Sequence, residues 1–450
     1  MYFYNSNISI MLTYPNKATA MKTNRNKTLA ITIAAIITIT GATAQTVKKR
    51  ENDNRTCCHI EGRSIGDPAC RNMLLYVYNT DLRIGRCDTI PVGADGRFTY
   101  NLITTGNNVY EMIAENDYNN GGGYTTKFFA ENGTVSIKRY ADSTDRRPEL
   151  TAYGPLNREM LRLEKLKMDM FLNGPEQERK ILEEKGKGLI SESQKLKDMM
   201  TVAKTDGERN GMKRQADSLD MAVKSIVTEL DAVNERYSRA MADSRKYLLD
   251  YARSKATPVG LFYLHQVALM AKHMGGNTAD STEAIYDSLY AEKFPDNIIS
   301  RYMRNWIAGR NIKPGGHFID FTAPDLDGRN HTLSVEIAGR IALIDLWASW
   351  CGPCRRNSKS MIPVYEEFRD RGFTVVGVAR ERNAEHMRKA IARDGYTWLN
   401  LLELDDKALI WERYGCPNGG GMTVLVDRNG SILAVNPKAD EVRDILGKKL

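Results

Sequence analysis

One stretch constrains this chain more than any other: residues 341–354, which read Ile-Ala-Leu-Ile-Asp-Leu-Trp-Ala-Ser-Trp-Cys-Gly-Pro-Cys. Ile341–Trp347 has the length, aliphatic content and nearly unbroken apolarity of a strand buried on both faces, as in a parallel sheet. Cys351 and Cys354 follow at once, and a Cys-x-x-Cys where such a strand hands over to a helix is a redox-active dithiol. Cysteines three apart on a first helical turn share one face and lie close enough to close a small ring. The unpaired N–H groups and dipole of that helix end favour a thiolate on Cys351, which makes it the expected attacking sulfur. Pro353 suits a first turn, because it gives up an N–H that has no partner there. A pair of this kind can also be half a zinc site. No second Cys/His pair at ligand spacing completes one, so neither a metal nor a cofactor is expected.

Trp-Ala-Ser-Trp-Cys-Gly-Pro-Cys over residues 347–354, together with Gly-His-Phe-Ile-Asp-Phe-Thr-Ala-Pro-Asp-Leu-Asp-Gly over 316–328, resembles the periplasmic thioredoxin-fold oxidoreductases of the TlpA/ResA type. The resemblance covers residues 312–450, under a third of the chain. It implies an α/β thioredoxin fold there, with Cys351 attacking a substrate disulfide and Cys354 resolving the mixed disulfide. Its implied partners are periplasmic disulfide-containing proteins such as apocytochrome c, and a membrane electron donor. The Gly-Pro between the cysteines is the thioredoxin pair, whose potential near ~−270 mV lies on the reducing side. One departure stands out. Family members carry a cis-proline before the strand at 423–426; aligned back from Asp427, that position is Gly421, and Pro417 comes four residues too early. A cis bond without proline costs ~2.5–4 kcal/mol, so this loop is expected to be trans or strained. Gly421 and Met422, with Trp350 beside the sulfur, form the expected substrate-binding surface.

Asp345 sits inside the apolar run, six residues before Cys351. A carboxylate buried among Ile, Leu and Trp costs several kcal/mol unless it is neutral or paired. Burial should raise its pKa, which would let it take the proton from Cys354 during resolution, and the resemblance implies an acid at this place. A structural hydrogen bond at a sheet edge is the alternative. Arg355 and Arg356 are read as thiolate-favouring or simply solvated, Trp347 as core, and Cys416 as buried filler or a third thiol at the site.

The rest of the chain reads as several domains, and 450 residues set a prior of about three. The formal charge of +8 is mild for this length, and with no base-reading motif it argues against a nucleic-acid partner. Residues 21–44 have the grammar of a secretory signal: a basic start, an apolar core over 28–39 and Ala-Thr-Ala before Gln45. Met21 then becomes the expected initiator and residues 1–20 an overrun. Export places the protein in the periplasm; an uncleaved membrane anchor is the alternative, against which the core is shorter than the ~20 residues a span needs. Residues 55–150 form a β-rich N-terminal domain, sandwich-like or a small barrel, with strands expected at 73–78, 98–102, 109–113 and 134–138. Its close, Phe-Phe-Ala-Glu-Asn-Gly over 128–133 and then Gly-Pro-Leu-Asn over 154–157, resembles the uncharacterised β-domain that precedes TlpA-like modules in Bacteroidetes proteins. Cys57, Cys58, Cys70 and Cys87 fall in it as a structural cluster with three possible pairings.

Residues 155–310 form a helical middle domain, with Met160, Leu163, Leu166 and Met170, then Leu219, Ala222, Ile226, Leu230 and Val233, at helical spacing. The Met stripe reads as core filling, and the apolar helix opening at 260–263 is expected to dock on the redox domain. The order after residue 312 is expected to be βαβαββα. The reading as a whole is an exported thiol–disulfide oxidoreductase. Its rival is a redox-inert binding or scaffold protein on a thioredoxin fold that has lost the cis-proline. Peroxide reduction is disfavoured, because the Pro-x-x-x-Thr-x-x-Cys arrangement is absent from 341–354.

Overall fold

The structure, a computed structural model, describes residues 55–141, 146–274, 277–416 and 420–450. Residues 1–20 and the signal expected at 21–44 lie outside the described residues, as does Pro417.

The N-terminal region folds as strands β1 (Arg55–Ile65), β2 (Asn72–Val77), β3 (Asp88–Pro91), β4 (Arg97–Thr105) and β5 (Val109–Ala114), a short helix α1 (Glu115–Asn119), then β6 (Thr126–Phe129), β7 (Gly133–Tyr140) and β8 (Glu149–Ala152). They form two four-stranded sheets, ordered β4-β1-β7-β8 and β3-β2-β5-β6. The four expected strands are β2, β4, β5 and β7. The pairing is not wholly antiparallel, since β1 and β7 run parallel from Cys58↔Gly133 to Ile65↔Tyr140. Along β1 the two-residue period buries Thr56, Cys58 and Ile60 and turns Cys57 outward. The expectation of a paired cysteine framework is corrected here: Cys57, Cys58, Cys70 and Cys87 are all free thiols. Cys58 and Cys70 are instead packed into the sandwich core as small apolar groups.

Helix α2 (Pro155–Lys167) runs through a π-helical turn, Met168–Leu172, into α3 (Asn173–Val202), which folds back along the 49-residue α4 (Asp206–Ser254). A capping box starts α4: the Glu208 N–H donates to Thr205 Oγ1 at 3.2 Å and the Thr205 N–H to Glu208 Oε2 at 3.3 Å. The hairpin is held by Leu182, Ile226, Leu230 and Val233. The Met stripe is divided: Met160 is core, whereas Met170 is exposed. Helices α5 (Pro258–Met274), α6 (Thr278–Leu289) and α7 (Ile298–Arg310) complete this region. The docking expected of α5 is corrected, because Val259 and 261–264 pack on Tyr78, Val109 and Phe129 of the sandwich rather than on the redox domain. It is α7 that meets the redox domain, through Asn305 donating to Glu412 at 3.1 Å and through Gly309 packed backbone to backbone on Gly415.

The C-terminal region opens with the small hairpin β9 (Thr322–Pro324) and β10 (Asn330–Thr332) and the turn of helix α8 (Leu333–Glu336). Next come β11 (Ile341–Trp347), α9 (Gly352–Phe368), β12 (Phe373–Glu381), α10 (Ala384–Asp394), β13 (Leu399–Leu404), α11 (Ile410–Arg413), β14 (Met422–Val426), β15 (Ile432–Val435) and α12 (Ala439–Lys449). The five strands order β13-β12-β11-β14-β15, with β11 central, parallel to β12 and antiparallel to β14. All seven residues of β11 are buried, as their apolarity requires. The expected βαβαββα lacks β13. Asn400 and Glu403 interrupt that strand's apolar pattern, yet both are buried and bonded: Asn400 accepts from Trp347 Nε1 at 3.0 Å, and Glu403 accepts the N–H groups of Ala408 and Ile410.

Candidate active site

Strand β11 delivers the chain to the sheet's carboxyl edge, and Cys351 becomes the N-cap of α9, with Gly352 and Pro353 in its first turn. Cys351 and Cys354 are joined as a disulfide, their Cα atoms 5.3 Å apart. The Cys354 N–H points at Cys351 Sγ from 3.3 Å, so a helix-terminal donor does face the first sulfur. Overall exposure runs the other way. Cys351 is buried, whereas Cys354 is half-buried and lines an open pocket of about 210 Å³ with Asp345, Leu346, Pro353, Asn357, 420–423 and Asn436.

Asp345 is fully enclosed, and its register partners Gly377 on β12 and Thr423 on β14 place it in the middle of the sheet, not at an edge. Burial pushes its carboxyl pKa up to about 7, against the lowering effect of a hydrogen bond from Ser358 Oγ at 2.6 Å. That hydroxyl also lies 3.0 Å from the carbonyl oxygen of Cys354. It has one hydrogen. With Asp345 protonated, Asp345 donates to Ser358 and Ser358 to Cys354 O; with Asp345 ionised, Ser358 must turn to the carboxylate. Ser358 escaped the sequence reading, although it stands one helical turn beyond Cys354 on the same face, which is the signal that could have found it. Thr423, buried and with its hydroxyl unpartnered within the described protein, lines the same pocket.

No peptide bond is cis among the described residues, in keeping with the expected trans loop. Gly421 comes so close that a Cβ there would stand 1.8 Å from the Leu346 carbonyl oxygen and 3.0 Å from Cys354 Sγ. Its N–H donates to Cys354 Sγ at 3.0 Å. The loop therefore touches the sulfur itself as well as bordering the pocket beside Met422. Cys416 does not line the pocket beside Cys354: it is buried, its S–H reaches Trp411 O at 3.3 Å, and burial raises its pKa to about 12. Arg355 is tied to Asp394 by two bonds of 2.6 Å, whereas Arg356 is exposed. Trp350, 37% exposed, donates its indole N–H to Arg380 O at 3.2 Å.

A central strand ending in a Cys-x-x-Cys at a helix N-terminus, within a β13-β12-β11-β14-β15 sheet, defines a thioredoxin-fold dithiol domain. Residues 314–435, within this thioredoxin-fold domain, match the family described as AhpC/TSA. Its relatives are named as thiol–disulfide oxidoreductases. The thiol:disulfide interchange protein DsbE of Allochromatium vinosum is 33% identical over 117 residues, 25% of this chain and 60% of that one. The thiol-disulfide oxidoreductase ResA of Geobacillus thermodenitrificans is 29% identical over 115 residues, 25% of this chain and 63% of that one. The chain thus spans under two thirds of the length of these two relatives. Among solved structures, the thioredoxin domain of a Bacteroides vulgatus thiol-disulfide oxidoreductase is 31% identical, covering 30% of this chain and 96% of that one, with a TM-score of 0.28.

Proposed function

We propose that this chain is an exported thiol–disulfide oxidoreductase that reduces disulfides of periplasmic proteins, built from a signal at 21–44, a β-domain at 55–150, a helical domain at 155–310 and a redox domain at 312–450. The observation that carries the reading is the Cys351–Cys354 pair at the N-cap of α9, with Asp345 in the pocket that Cys354 lines. In the forward reaction the Cys351 thiolate attacks a substrate disulfide, forming a mixed disulfide and releasing one substrate thiolate. Cys354, its proton passed to the Asp345 carboxylate, then attacks Cys351 Sγ. That closes the Cys351–Cys354 disulfide and releases the second substrate thiolate. Two electrons have left the protein, and the proton on Asp345 returns through the pocket to water or product. An external dithiol, in the cell a membrane electron donor, must restore the reduced form. Trp350, Gly421 and Met422 border the substrate; apocytochrome c is one substrate of the right kind.

The test is reduction of insulin by the full chain with dithiothreitol as the electron source. Turnover by the wild type that is lost in Cys351→Ser supports the reading. A folded wild type without turnover points instead to the redox-inert scaffold. A mixed disulfide trapped by Cys354→Ser in periplasmic extract would identify the substrate.

A further inference from the structure

Ser358 is fully enclosed on α9, one turn beyond Cys354, and its hydroxyl stands between two acceptors: Asp345 Oδ2 at 2.6 Å and the carbonyl oxygen of Cys354 at 3.0 Å. The second contact is ordinary, because a serine inside a helix often satisfies its hydroxyl on the carbonyl four residues back. The first is not local, since it ties the helix to the acid in the central strand. Asp345 Oδ2 is thereby held. Oδ1 has no hydrogen-bond partner among the described residues, and the side chain lines the pocket it shares with Cys354.

Other groups packed around the acid do not duplicate this bond. Gly377 on β12 has no side chain, and the Thr423 hydroxyl on β14 is unpartnered within the described protein. Asn436, in the same pocket, accepts the Thr423 N–H through its Oδ1 at 3.0 Å. Tyr396 also faces Asp345 and Ser358; burial raises its pKa, so it stays neutral, and its hydroxyl lies 3.2 Å from Asp394 Oδ2 and 3.3 Å from Arg355 O. Arg355 and Asp394 neutralise each other. Among the described residues no cation acts on Asp345: burial favours its neutral form, and Ser358 alone favours the carboxylate.

Ser358 has one hydrogen, and the charge on Asp345 decides where it goes. A hydrogen bond to a carboxylate is about twice as strong as one to a neutral acceptor, so the ionised acid draws the hydroxyl and the neutral acid releases it to Cys354 O. We propose that Ser358 is a positioning residue for the resolving step: it holds Asp345 Oδ2 so that the other carboxylate oxygen stays open to the pocket for the Cys354 proton, and it turns to Cys354 O when that proton has arrived. The inference rests on the oxidoreductase reading and adds a residue to its proton transfer. The S–H bond of Cys354 breaks, an O–H bond forms on Asp345, and the Cys354 electron pair enters the Cys351–Cys354 bond as the substrate thiolate leaves. Ser358 exchanges hydrogen-bond partners and loses no proton.

The experiment follows the resolving step directly. The full chain is reduced with dithiothreitol, desalted and mixed with saturating 2-hydroxyethyl disulfide between pH 5 and 9. Acid quench and peptide mass spectrometry then separate the Cys351 mixed disulfide from the closed Cys351–Cys354 pair. Closure by the wild type should rise with pH through a midpoint near 7, where Asp345 ionises. Ser358→Ala should still form the mixed disulfide, which reports that its site has folded, but its closure midpoint should lie about one pH unit higher, making closure at pH 7 about fivefold slower and nearly equal at pH 9. In an Asp345→Asn background, Ser358→Ala should slow closure by less than about twofold, because no carboxylate remains for the hydroxyl to hold. An unmoved midpoint in Ser358→Ala, or a loss in the Asp345→Asn background as large as in the wild-type one, overturns this inference and leaves the oxidoreductase reading standing. A wild type that forms neither the mixed nor the closed disulfide overturns that reading.

Discussion

Replacing Asp345 with Asn turns the proposed role of this residue into a thermodynamic measurement. In the folded protein its carboxyl pKa is about 7, raised by burial and only partly countered by Ser358, against 3.8 for a free Asp. The folded state therefore binds the proton more tightly than the unfolded chain, and stability must fall as pH rises through this window. The cost of ionising Asp345 is small at pH 4.5, about 1 kcal/mol, and grows to about 4 kcal/mol by pH 8. Asp345→Asn removes that cost while keeping the shape and an acceptor for Ser358, so it should stabilise the redox domain by roughly 3 kcal/mol more at pH 8 than at pH 4.5. Urea unfolding of the oxidised protein at both pH values, wild type against variant, measures the difference directly. Insulin turnover should meanwhile fall, and its inflection near pH 7 should vanish. A stability difference that is flat with pH would refute the raised pKa. A pH-dependent difference without loss of turnover would leave Asp345 a buried acid with no part in the proton transfer.

The Gly421 loop should prove sensitive to any side chain. Gly421→Ala should destabilise by ~1–3 kcal/mol in a melt, since the clash is with a backbone carbonyl that cannot rotate away. Gly421→Pro also removes the N–H aimed at Cys354 Sγ and should move the reduction potential by more than ~30 mV, and an unmoved potential would confine the loop to substrate contact. Arg380→Met leaves Asp81 and Asp406 without their shared cation and should cost ~3–5 kcal/mol, with new protease cleavage in residues 78–87. Adding Asp81→Asn should restore part of that stability, and no restoration would mean the pairing does not hold that segment. In the reduced protein, iodoacetamide should modify Cys351 well below pH 8.5 and Cys354 only above it; the reverse order would show that pocket exposure, not the helix terminus, decides which sulfur attacks.

Much of the redox domain was legible in the chain because its signals are local. A seven-residue apolar run specifies a buried central strand, a Cys-x-x-Cys at its end specifies a helix-capped pair, and a carboxylate inside the run announces that it must be neutral or bonded. Those inferences need only periodicity, helix-end chemistry and the cost of burying charge. What the pattern concealed was buried polarity. Asn400 and Glu403 made β13 look like loop because their partners, Trp347 Nε1 and the N–H groups of Ala408 and Ile410, are named only once the chain has folded. The cysteines of the β-domain were misjudged for a related reason: spacing says how many bridges are possible, but alternation along β1 and packing in the core decide where each sulfur points. The surroundings of the dithiol belong to tertiary structure alone. Arg83 and Trp350 are 267 residues apart in sequence, and no periodicity links them. They meet because a buried Arg380 binds Asp81 from another domain, and a contact set by long-range packing leaves no trace in either segment taken by itself.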